Sequence, residues 1–91
     1  MYLHLGGDTV IRTDNIVGIF DLENSTVSYK TREYLAAAEK NGKVINVSFE
    51  LPKSFVVCIE NSETKIYICQ LSPVTLIRRA SQMTEEEERK D

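Results

Sequence analysis

The stretch SFVVCIENSETKIYICQL, residues 54–71, decides the fold. Ser54 to Glu60 is rich in β-branched and aromatic side chains, and so is Lys65 to Leu71. Each is too short for a typical helix, so both read as strands. Asn61-Ser62-Glu63-Thr64 supplies the turn chemistry between them and predicts a four-residue hairpin loop. If Glu60 pairs with Lys65, Cys58 faces Tyr67 and Val56 faces Cys69. The two cysteines are then diagonal neighbours on one face, about 7–8 Å apart. That exceeds the usual disulfide span, so buried, reduced thiols are expected.

Upstream of the hairpin, Glu50-Leu51-Pro52-Lys53 reads as a loop, because proline cannot donate to a ladder. Val44 to Phe49 alternates as a strand, with Ile45, Val47 and Phe49 on one face. Tyr29 to Asn41 is predicted helical: Ser28 is a suitable N-cap, three alanines favour helix, and Asn41-Gly42 ends it. Its apolar stripe is Thr31, Tyr34, Leu35 and Ala38, suited to packing on a sheet. Ile16 to Phe20, apolar but for Gly18, reads as a central strand covered on both faces. Tyr2 to Leu5 and Thr9 to Arg12 flank Gly6-Gly7-Asp8 as an opening hairpin.

Downstream, Ser72-Pro73 starts a second helix, with Val74, Ile77 and also Leu76 expected to face inward. Residues 81–91 have a capping-box pattern in Thr84 and Glu87 but no apolar run behind it. They are expected to form a frayed acidic tail after a single domain spanning residues 1–80. The fold class expected is therefore α+β: a small, mostly antiparallel sheet of about six short strands with one central helix and a C-terminal helix.

Ninety-one residues suffice for one domain with a thin core. The formal charge of −3 is unevenly distributed. Residues 1–80 carry nine basic and nine acidic side chains, so the tail, with five acids and two bases, supplies all of it. A neutral domain exerts no global pull on nucleic acid or anionic lipid, so any such contact depends on where the charges sit. No apolar run approaches a membrane span and no secretory leader is visible, so the cytoplasm is the expected compartment and no membrane partner is expected.

No catalytic constellation can be assembled. His4 is the one histidine and lacks the spacing of metal ligands. Gly6-Gly7-Asp8 is followed by a strand, whereas a phosphate cradle needs a helix. Asp14, Asp21 and Glu23 sit at strand ends with nothing to fix them together. No cofactor, metal or small-molecule substrate is expected. The remaining candidates are Lys53, Arg78 and Arg79. The two arginines near a helix C-terminus suit the helix dipole, which accounts for them without any ligand. Repeated around an oligomer, however, the three would form a basic stripe able to bind phosphates.

The motifs MYLHLGGD, DNIVGIFDL, TREYLAAAEKNG, LPKSFVV and IYICQLSPVTLIRRA, in that order and spacing, resemble the bacterial extracellular matrix regulators, the RemA/RemB-like proteins, and the RemB-like branch more closely. The resemblance runs from Met1 to about Ala80. It implies a cytoplasmic transcription regulator of extracellular matrix or biofilm genes that forms a ring-like homo-oligomer and binds double-stranded DNA. In the RemA-like branch it implies arginines in the loop before Ser54 and near the start of the central strand. Here Leu51-Pro52-Lys53 and Asn15 stand at those places. The alternative is an oligomeric scaffold that binds another protein.

Overall fold

The computed structural model describes residues 1–23 and 28–89, with 82–89 described by backbone alone. It has an α+β architecture built around one strand. That strand, β5 (Ser54–Glu60), has five consecutive buried residues, Ser54 to Cys58. It is flanked by β3 (Ile16–Asp21) and β6 (Glu63–Cys69), and β4 (Val44–Asn46) completes the sheet in the order β3-β5-β6-β4. All pairings in this sheet are antiparallel except β4 with β6, which is parallel.

Strand side chains alternate between faces, so β5 serves two cores at once. Phe55 and Val57 join Ile66 and Ala38 on the face covered by α1 (Tyr29–Lys40). Val56 and Cys58 join Tyr67 and Cys69 on the other face. There the separate hairpin of β1 (Tyr2–Gly6) and β2 (Thr9–Arg12) inserts Leu3, Leu5 and Ile11. The second helix, α2 (Pro73–Arg89), adds Leu76 to the same cluster. Burying one such aliphatic side chain contributes about 1.5–3 kcal/mol relative to leaving it exposed.

The capping expected of Ser28 is present: its hydroxyl accepts from Thr31 N at 3.2 Å. Asn41 N donates to Ala37 O, and Gly42 follows at φ +71°. The hairpin turn between β1 and β2 uses positive φ at both Gly6 and Gly7. Of the expected helix stripe, Ala38 is buried and Leu35 packs against the same core, while Tyr34 is about half exposed.

Several expectations are corrected. The strand Ile16 to Phe20 is an edge, not central, and Val17 and Phe20 are exposed. Its apolar composition reflects surface residues as well as core. The β5–β6 hairpin turns on two residues, not four. Asn61 and Ser62 take φ of +51° and +68°, the positive values that match the twist of paired strands, and this lets Glu63 and Thr64 join β6. The register therefore pairs Glu60 with Glu63 and Cys58 with Lys65, while Cys69 lies opposite Ser54. The cysteines share a face, both free and buried, but stand four residues apart along the ladder, about 13 Å.

The strand Val44 to Phe49 stops at Asn46, and Phe49 is fully exposed. Ser48 causes the stop: its hydroxyl donates to Gln70 Oε1 at 2.7 Å and accepts from Glu50 N at 3.1 Å, which turns the chain out of the ladder. In α2, Leu76 alone of the expected trio is buried, and Val74 and Ile77 face outward. The α2 backbone continues past Ala80 to Arg89, so Arg78 and Arg79 stand mid-helix and not near its C-terminus, where the helix dipole would have accounted for them. The frayed acidic tail expected for residues 81–91 falls almost wholly outside the described side chains.

Two outcomes are expected. Ser62 bears the cost of a left-handed conformation that glycine avoids, so Ser62→Gly should stabilise by roughly 1 kcal/mol. For a domain of this size that is a rise of about 4–8 °C in the melting temperature, readable by circular dichroism. The second concerns alkali. Burial, with the nearby Glu60 charge, pushes the Cys58 thiol from 9.0 to about 11, and burial pushes Cys69 to about 11. Burial and its hydrogen bond to Glu60 push Tyr67 from 10.0 to about 12. Above pH 9.0 the unfolded chain releases protons that the folded chain retains. Stability should therefore fall as pH rises from about 9 to about 11. Melting curves across that range should show the fall, and it should be shallower in the Cys58→Ala, Cys69→Ala double variant.

Candidate nucleic-acid interface

The three candidate cations stand on two mounts. The first is the end of the sheet where β5 begins. Lys53 N donates to Cys69 O at 2.8 Å, and Lys53 O accepts from Leu22 N at 2.8 Å. Next to it, the buried Ser54 donates its hydroxyl to Leu71 O at 2.7 Å. These bonds tie β3, β5 and β6 together and fix the backbone from which the exposed Lys53 projects.

The second mount is α2, which leaves the same end of the sheet. Ser72 Oγ accepts from Thr75 N at 3.2 Å, and Pro73 occupies the first helical position. Leu76, fully buried, and Ala80, packed on the same core, fix the helix against the β1 and β3 side of the domain. Successive helical residues are offset by about 100°. Arg79 therefore lies beside the buried line, and its Nη1 reaches His4 O on β1 at 3.4 Å. Arg78 lies on the far side of the helix from Leu76. Both arginines are exposed. One bond to His4 leaves most of the Arg79 guanidinium donors for other acceptors. His4, exposed on β1, serves here through its backbone carbonyl.

The structure thus unites Arg78 and Arg79 on one fixed helix and sets Lys53 apart, on the loop side of the strand end. Asn15 lies elsewhere, in the 3-10 turn Thr13–Asn15 that leads into β3. It borders a cavity of about 350 Å³ together with Tyr2, Arg12, Glu60 and Asn61. Arg12 is a basic residue that linear reading passed over here. The short turn brings it beside Asn15, but it pairs with Asp14 at 3.6 Å. Lys65 is likewise engaged, at 3.1 Å from Glu60, whose other oxygen accepts the Tyr67 hydroxyl at 3.0 Å. Phe49 and Leu51, exposed on the loop before Lys53, were also missed. Alternation assigned Phe49 to a strand face, and only the side-chain bonds of Ser48 show otherwise.

Among the described residues no helix is long and apolar enough to cross a membrane. The family described as RemA-like, extracellular matrix regulatory protein A-like, matches residues 2–80, which takes in both hairpins, both helix starts and all three candidate cations. The chain is also 41% identical over 85 residues to the extracellular matrix regulatory protein B of Bacillus subtilis (strain 168), a match covering 93% of this chain and 96% of that protein. The chain therefore belongs to the RemA-like family, on the side of its B-type members.

Proposed function

We propose that this chain is a cytoplasmic, homo-oligomeric regulator of extracellular matrix genes that binds double-stranded DNA through phosphate contacts, using Lys53, Arg78 and Arg79. Family membership supports the regulatory part. The observation carrying the DNA part is the pair of exposed arginines on a helix immobilised by Leu76. A guanidinium on a fixed backbone loses less freedom on meeting a phosphate than one on a mobile segment.

One subunit offers about three phosphate contacts, which is weak binding on the scale of counterion release. Side-by-side subunits multiply those contacts along one duplex, as linked sites do. DNA binding therefore depends on assembly. The charge balance of residues 1–80 and the exposed apolar residues favour one rival reading, an oligomeric scaffold for another protein.

Fluorescence anisotropy on a long duplex separates the two. Full-length protein should bind at low salt, with log K falling by about 0.9 per contact for each log unit of salt. Deleting Glu85 to Asp91 removes acidic charge and should tighten binding at low salt. Changing Lys53, Arg78 and Arg79 together to alanine should abolish it. No binding by the wild type at low salt would transfer the function to the protein-scaffold reading, and unchanged binding in the triple variant would remove Lys53, Arg78 and Arg79 from the site.

A further inference from the structure

Between α1 and the β3–β5 edge of the sheet lies an apolar groove of about 380 Å³. Its walls include Val17, Phe20, Tyr34, Phe55 and Val57, with Lys30 also lining it. The groove is preformed. Phe20 and Phe55 stack with ring centroids 4.9 Å apart and planes at 18°. Gly18 makes room for that stack, because a Cβ there would meet the Phe20 ring at 2.6 Å. A shift in register between Ile16 and Gly18 leaves Val17 outside the β3–β5 pairing, at the lip of the groove.

The same chain carries a matching projection. Phe49 is fully exposed and Leu51 is 81% exposed, on the loop between β4 and β5. Large apolar side chains held in water at a loop tip are the kind of feature that marks an interaction site. This tip is also pinned at both ends. Ser48 bonds to Gln70 and to the Glu50 amide, and Lys53 N is held by Cys69 O. A projection fixed in this way loses little freedom on docking. Its full exposure shows that Phe49 does not occupy its own chain's groove.

We infer that the Phe49–Leu51 loop of one copy docks in the Val17–Phe20–Phe55 groove of a second copy. This deepens the assembly reading above and rests on it. Size fits: a cavity of about 150 Å³ already holds a benzene ring, so the groove admits the Phe49 ring and part of Leu51. Charge fits as well, since Glu50 stands between the two apolar residues and Lys30 lines the groove. Projection and groove are different surfaces of one chain. The contact is therefore head-to-tail, and repeating it yields a ring where the rotation closes. The seam places Lys53, two residues after Leu51, beside the subunit boundary.

Sedimentation velocity at micromolar concentration tests the contact, with circular dichroism to verify folding. The wild type should exceed a dimer. Phe49→Glu, which spoils the projection, and Val17→Arg, which blocks the groove, should each sediment near the monomer mass of 10.4 kDa. An equimolar mixture of the two retains one intact contact and should give a two-chain species. Lys30→Glu and Glu50→Lys should each weaken assembly, and together restore it. Should Val17→Arg disturb folding, Tyr34→Arg, at a half-exposed position of the same groove, takes its place. If the wild type assembles and both single variants keep its full size, this contact is overturned while the assembly reading stands. A mixture that remains monomeric also overturns it. A monomeric wild type overturns both.

Discussion

The rest of the molecule depends on β5 being buried on both faces while its two edges are hydrogen-bonded. A strand with one wet face needs only one covering layer. Here Phe55 and Val57 require α1, and Val56 and Cys58 require the β1–β2 hairpin and α2. Both layers must form for the strand to be dry. In so short a chain each layer is thin, so it rests on a few residues such as Leu3, Leu5 and Leu76, which are completely excluded from solvent. Loss of any of these would leave a cavity against β5 at a cost of about 2–5 kcal/mol.

The same constraint positions the cations. The strand end at Ser54 is where β3, β5 and β6 are tied together, and α2 starts from there. Lys53 inherits its rigidity from that junction. Arg78 and Arg79 inherit theirs from Leu76 and Ala80, which fill the core between them and β5. Basic residues that would be interchangeable on a mobile surface are therefore held in a fixed relation to the sheet. The polar group formed by Glu60, Lys65 and Tyr67 sits at the other end of the same face, where it neutralises its own charge.

A core this small cannot cover everything apolar. α1 lies over β4, β6 and part of β5, and the β3 side of that face remains as the open groove. Phe49 and Leu51 lie outside either core, on a loop held at Ser48 by its bond to Gln70. Unsatisfied apolar surface in a groove and at a loop tip gives a reason for association that the charge pattern alone does not.

The sequence by itself determined the two hairpins, the capped helix α1, the Ser72-Pro73 start of α2 and the α+β class. Those features are set by local chemistry: Gly6-Gly7 in a turn, Ser28 and Ser72 as caps, and the run of β-branched and aromatic residues along Ser54 to Glu60. It also offered Lys53, Arg78 and Arg79 as candidate cations. What it could not give was the neighbour of each strand. Ile16 to Phe20 is as apolar as a central strand, yet it is an edge, because pairing order depends on contacts distant in sequence. The two-residue turn at Asn61-Ser62 slipped the register by two, since both residues are held in the left-handed conformation that closes a tighter hairpin, Ser62 at a cost. Val74, Leu76 and Ile77 are equally apolar, and only the docking of α2 on β1 and β3 selected Leu76 for burial. Local propensity fixes which residues pair or cap with near neighbours. Which face meets which is settled by packing, and packing exists only once the whole chain has folded.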